Sequence, residues 1–134
     1  MVSLSSVYSS NSLISSTLPP GLVAVFVGAT SGIGEITLKK FAKYSCQPRA
    51  YFIGRSQGAA DRIVAECKAI NPAGEYLFIK ADVSLICVVD EVCKEIKAKE
   101  KVLNILFLSA GVPSMDRSGM IHCIHPVLQK YVES

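Results

Sequence analysis

The feature that most constrains this chain is the stretch Gly28-Ala29-Thr30-Ser31-Gly32-Ile33-Gly34, set between an apolar, β-branched run at 22–27 and a segment at 35–44. In that second segment Ile36, Leu38, Phe41 and Ala42 recur among lysines, which is helical patterning. The run before the glycines is short and bounded by Pro19, Pro20 and Gly21, so it predicts a strand buried on both faces. A strand that turns through glycines into a helix brings backbone N–H groups and the positive end of the helix dipole to one point, where an anion is stabilised. Gly-x-x-x-Gly-x-Gly in that placement predicts a turn for a dinucleotide's pyrophosphate, with Gly28, Thr30, Ser31, Gly32, Ile33 and Gly34 as contact residues. The glycine spacing alone is a weak signal. The elements that follow it give it weight.

Pro48 breaks the chain, 50–53 predicts a second strand, and Gly54-Arg55-Ser56 turns into a helix over 57–70 carrying Ile63, Val64 and Cys67. The cluster Asn71-Pro72-Ala73-Gly74 ends that helix, and 76–79 predicts a third strand. Ser84 stands where a cap would open a helix through Val88, Val89, Val92, Cys93 and Ile96, and 103–108 predicts a fourth strand. Strands alternating with helices of this length imply right-handed crossovers and an α/β fold. The expectation is a partial doubly wound Rossmann fold, a parallel sheet of four strands in the order 3-2-1-4.

Composition narrows the function classes. The chain has 134 residues, half of them apolar, enough for one core. Fourteen Lys plus Arg against eleven Asp plus Glu, with no basic block, argue against a nucleic-acid partner. No apolar run approaches the roughly 20 residues a membrane helix needs. Five cysteines at irregular spacing, Cys46, Cys67, Cys87, Cys93 and Cys123, fit neither a disulfide scaffold nor a zinc finger; a reducing, cytoplasmic setting is expected. His122, Cys123 and His125 crowd into four residues without a distant partner, so no metal site is expected. The chain divides into a Ser-rich leader at 1–20, a nucleotide-binding half-domain at 21–112 and a tail of different character at 113–134.

On these residues the chain resembles the short-chain dehydrogenase/reductase family. The glycine turn is similar to the family's cofactor turn, Asp82-Val83 to its pair beside the adenine, and Ser109-Ala110-Gly111 to its Asn-Ala-Gly. The resemblance runs from about Leu22 to Val112 and looks closest to reductases of fungal secondary metabolism. It implies an oxidoreductase with Asp82, Val83, Ser109, Ala110 and Gly111 on the cofactor. Ser109 departs from the family's Asn, so the local strand contact is expected to differ and the ribose to be held less firmly.

Rossmann folds that prefer NAD carry Asp or Glu at the end of the second strand, against the ribose hydroxyls. Here that strand ends Ile53-Gly54-Arg55-Ser56. Arg55 is a planar, permanent cation suited to a 2′-phosphate, and Ser56 adds a hydroxyl; NADP(H) is expected over NAD. The resemblance also implies a catalytic Tyr and a Lys four residues later on one helix. Tyr76 and Lys80 match that spacing, but they fall on the predicted third strand, where four residues span about 13 Å. Tyr131 has no Lys after it. No catalytic residue is assigned, and the chain reads as stopping before the Tyr and Lys. Two readings stay open: an NADP(H)-dependent oxidoreductase in truncated form, or an inactive dinucleotide-binding remnant or module completed by another chain. Self-association through an exposed fourth strand is expected of either.

Overall fold

The chain's architecture follows from how its apolar residues alternate along short strands. The computed structural model describes residues 1–111, and within them four strands form one parallel sheet: β1 (Val23–Val27), β2 (Arg49–Gly54), β3 (Glu75–Lys80) and β4 (Ile105–Leu108). Their order is β3-β2-β1-β4, as the sequence predicts. Helices α3 (Gly32–Tyr44), α4 (Gln57–Ile70) and α5 (Ile86–Lys99) make the crossovers. Two shorter helices, α1 (Leu4–Ser12) and α2 (Ile14–Thr17), lie within residues 1–20 and bury no residue.

Successive strand residues point to opposite faces, which gives the sheet two cores. Ala24, Phe26, Ala50 and Phe52 face α3 and α4, packing with Leu38, Ala42, Ile63 and Cys67. Val23, Val25, Tyr51 and Ile53 face α5, packing with Val92 and the half-buried Val88 and Ile96. On the first face the register aligns Phe78, Phe52, Phe26 and Phe107 in a single row across all four strands. Ring centroids are 5.2 Å apart for Phe52 and Phe78 and 5.9 Å for Phe26 and Phe107, in tilted geometry that favours aromatic pairs. The row of Ala24 and Ala50 beside it leaves room for the helices to approach.

Several boundaries differ from the sequence expectation, and at two of them a side-chain hydrogen bond is involved. β4 begins at Ile105 and not at Leu103, because the Asn104 side chain takes the place of a strand carbonyl: its Oδ1 accepts from Val23 N at 2.9 Å while its own N–H donates to Val23 O at 2.9 Å. Ser84 is not the cap of α5. Its N–H and hydroxyl both donate to the Asp82 carboxylate, at 3.1 and 2.8 Å, and the helix starts after Leu85 without a side-chain cap. Among the described residues β4 is an edge, with Ile105, Leu106 and Leu108 37, 52 and 43% exposed. No helix there is long and apolar enough to cross a membrane. The readings made at Val112, in the tail and at His122, Cys123, His125 and Tyr131 lie outside the described residues.

At the N-terminal end of the sheet a polar cluster joins α5 to β2 and β3. Arg49 donates to Glu75 at 2.8 Å and to Glu100 at 2.9 Å, and the buried Tyr51 hydroxyl donates to Glu100 at 2.7 Å. Burial first, then the Glu100 charge, push the Tyr51 phenol up to about 12. This end is committed to structure. The opposite end is open.

Candidate cofactor site

The C-terminal ends of all four strands converge on a cleft of about 400 Å³. The chain leaves β1 in one direction and β4 lies on β1's other side, so the cleft sits where the strand order reverses, the place at which doubly wound sheets bind ligands. Its lining brings together Gly28, Thr30, Ser31, Arg55, Asp82, Val83, Ser109, Ala110 and Gly111, nine of the sequence-predicted residues. Gly32, Ile33, Gly34 and Ser56 lie around it without lining it. Ile53, Gly54, Ala81 and Ser84 also line it, although nothing in the sequence marks them as cofactor contacts.

The glycines have distinct jobs. Gly28 has φ +82, and a Cβ there would stand 2.6 Å from the backbone nitrogen of Ala110. Gly34 is buried; a Cβ on it would overlap the Gly28 carbonyl and stand 2.5 Å from Ser109 Oγ. These two let the turn after β1, the start of α3 and the end of β4 touch one another. Gly32 has φ +59 and open space where a Cβ would go, so it serves the turn's shape and leaves room for a ligand. Ser31 caps α3 without a side-chain hydrogen bond, so its hydroxyl does not occupy the helix's N-terminal amides. Ile33 is 74% exposed on the first turn, on the open side.

Ser109 ties β4 to this turn. Its hydroxyl lies 3.1 Å from the Val27 carbonyl and 3.2 Å from the Gly28 carbonyl, and its single proton is shared between them. The departure from Asn thus forms a strand contact of its own.

Arg55 and Asp82 supply the charges of the lining. Arg55 is exposed at the turn out of β2. Ser56 accepts from Ala59 N at 3.3 Å and so caps α4, leaving its own proton available. The hydroxyl and then the amide of Ser84 hold the Asp82 carboxyl below its usual range, with a smaller contribution from the Arg55 charge. Behind the cleft α3 is locked to α4. Glu35 accepts from Arg62 at 2.8 and 3.0 Å and from Lys39 at 2.5 Å, while Glu66 pairs with both cations. Arg62, then Lys39, hold the Glu35 carboxyl down at about 2. The network fixes the helix that starts at the glycine turn against the helix that starts beside Arg55.

Tyr76 and Lys80 sit on β3, as expected, and do not share a helix face. The Tyr76 ring is buried, its hydroxyl donates to the Asn71 carbonyl at 3.2 Å, and desolvation pushes its phenol up to about 12. Among the described residues no group of three or more His, Cys, Asp or Glu could hold a metal ion.

A parallel 3-2-1-4 sheet with a glycine turn at its switch point defines the nucleotide-binding half of a Rossmann-type fold. Residues 22–127 match the short chain dehydrogenase family, and the chain belongs to it. It is 43% identical over 111 residues to an oxidoreductase of Emericella nidulans, covering 83% of this chain and 33% of the relative. An NmrA-like family domain-containing oxidoreductase of an Aspergillus species is 45% identical over 113 residues, covering 83% and 34%. The chain therefore spans about a third of the length of these relatives. Among solved structures, the L-sorbose reductase of Gluconobacter frateurii complexed with NADPH and L-sorbose superposes with a TM-score of 0.63 at 26% identity, covering 72% of this chain and 36% of that one.

Proposed function

We propose that this chain forms the NADP(H)-binding portion of a short-chain dehydrogenase/reductase of fungal secondary metabolism, with the residues named from the sequence as its cofactor contacts. The observation that carries the cofactor choice is Arg55 on the lip of the cleft, next to a second strand that ends in glycine and not in a carboxylate. The pyrophosphate lies against Gly28, Thr30, Ser31, Gly32, Ile33 and the start of α3, with Gly34 beneath. The adenine lies beside Asp82 and Val83, the 2′-phosphate on the adenosine ribose meets Arg55 and Ser56, and the nicotinamide ribose lies toward Ser109, Ala110 and Gly111. The L-sorbose reductase, of similar fold and complexed with NADPH, supports the same choice. Titration of NADPH and NADH against the parent and Arg55→Ala tests it. Loss of one charge-assisted contact is worth about 1.5–3 kcal/mol, so NADPH affinity should fall roughly 10- to 150-fold while NADH affinity holds. Equal affinities in the parent would remove the assignment.

The bound dinucleotide supplies or accepts hydride; this chain's residues hold and orient it. The 134 residues alone are expected to bind NADP(H) without reducing ketones or aldehydes, because the family's Tyr and Lys acid pair is not among them. Substrate-dependent NADPH oxidation that a substitution in this chain abolishes would overturn that. Residues 21–112 act as the binding unit, behind the leader at 1–20 and ahead of the segment at 113–134. The free thiols of Cys46, Cys67, Cys87 and Cys93 support a reducing, cytoplasmic setting. The exposed apolar edge of β4 supports self-association of the 134-residue chain, and Leu106→Lys should shift it toward monomer in size-exclusion chromatography.

A further inference from the structure

The end of β2 is more constrained than the missing carboxylate suggests. Gly54 is the last residue of the strand, and a Cβ built there would overlap Thr30 Cγ2, stand 2.8 Å from Thr30 Oγ1 and 3.2 Å from Thr30 Cβ. Two of the three positions around the Thr30 Cβ therefore face Gly54. Rotation to either other staggered rotamer replaces only one of those two atoms with hydrogen, so a heavy atom stays in the way. Retreat of the strand is blocked as well: the Ile53 carbonyl accepts from Gly28 N at 2.9 Å and the Gly54 carbonyl from Ala81 N at 3.0 Å. Gly54 is thus held between the turn after β1 and the turn after β3.

Gly54 lies where NAD-binding folds place their ribose-binding Asp or Glu, at the end of the second strand about 20 residues beyond the glycine turn. We infer that Thr30 is a specificity-determining residue: its branched side chain fills the space over Gly54, bars any side chain from the end of β2, and leaves Arg55 as the group that meets the adenosine ribose. Cofactor preference is then set jointly by Thr30 in the turn after β1 and Gly54 at the end of β2, and replacing one alone cannot reverse it. This rests on the NADP(H) reading for its meaning, but the steric coupling stands without any cofactor.

The test has two arms. In the first, unfolding is followed without cofactor for the parent, Gly54→Ala, Thr30→Ala and the double variant. Gly54→Ala should lower the folding equilibrium constant by roughly 5- to 100-fold with Thr30 present, as overpacking does, and by under about threefold with Thr30→Ala. Additive effects would overturn the inference. In the second arm, NADH and NADPH are titrated against Gly54→Asp alone and combined with Thr30→Ala or Thr30→Val. The Asp variant alone and with Val, which keeps both branches, should gain no NADH affinity. With Ala, NADH affinity should rise about tenfold or more. Equal NADH gains in all three would remove Thr30's role, whereas a parent without NADPH preference would refute the cofactor reading and leave the first arm standing.

Discussion

Alanine at Gly28 and at Gly32 separates backbone strain from crowding within one turn. Both residues have positive φ, +82 and +59, so an L side chain costs roughly 1–2 kcal/mol at either. Only at Gly28 does the new methyl also meet backbone, with Ala110 N at 2.6 Å and Ala110 Cα at 2.7 Å; at Gly32 nothing lies within 4 Å. Ala110 cannot yield freely, because the Ser109 amide and hydroxyl both bond back to Val27. Overpacking of that kind adds about 1–3 kcal/mol, so Gly28→Ala should cost about 2–5 kcal/mol and Gly32→Ala about 1–2. Urea denaturation at constant m-value reads the difference directly. NADPH titration of the folded fraction should rank the two sites the other way, with Gly32→Val losing more affinity than Gly28→Ala, because its branched side chain projects into the open space proposed for the pyrophosphate. Equal losses of stability for the two alanine variants would refute the argument, since it would mean that the turn after β1 and the end of β4 do not press on each other.

Glu35→Gln should destabilise the fold by about 1–2 kcal/mol at neutral pH, less than the full shift implies because Arg62 is half in solvent. The Glu35 carboxyl is depressed from 4.5 to about 2, so its contribution is fully present above the ordinary carboxylate value and is lost as pH falls toward about 2. The gap between parent and variant in denaturation midpoints should therefore close between pH 5 and pH 2; a gap constant over that window would sink the assignment. Ser109→Ala removes the hydroxyl bond shared by the Val27 and Gly28 carbonyls and should cost about 0.5–1.5 kcal/mol. Calorimetry showing no change in unfolding would mean the hydroxyl does not hold β4 to the turn.

The parallel sheet was legible because each strand is a short apolar run closed by punctuation, and both ends of α4 were legible because Ser56 and Asn71-Pro72 mark them. The glycine turn, Arg55 and Asp82 were legible because they follow strands in a fixed order. Most of what escaped was contact between residues distant in sequence. Gly54 looks in the sequence like any turn glycine, and only the fold brings Thr30 against it. Ser84 has the chemistry of a helix cap, but the Asp82 carboxylate two residues before it is a stronger acceptor for both its donors. Asn104 reads as a polar interruption inside an apolar run; its bond to Val23 needs the partner strand to be in place. The Glu35, Lys39, Arg62 and Glu66 network looks like ordinary solvated helix charge until α3 and α4 are set side by side.

The bond from Ser109 to Gly28 spans 81 residues, and it sets a timetable for the nascent chain. Translation at about 5–20 residues per second leaves roughly 4–16 seconds between the appearance of the glycine turn and that of the serine that pins it. During that interval β1, β2 and β3 can already pair, but β1 offers Ala24 to Val27 along a bare flank where Ile105 to Leu108 will later dock. A folding helper that shields an unpaired apolar strand would therefore act on β1 first and be displaced by β4. A dinucleotide bound as proposed would be in the reverse position: the turn takes its final shape only once residues 109 and 110 are in place, so such a ligand would report on completed docking.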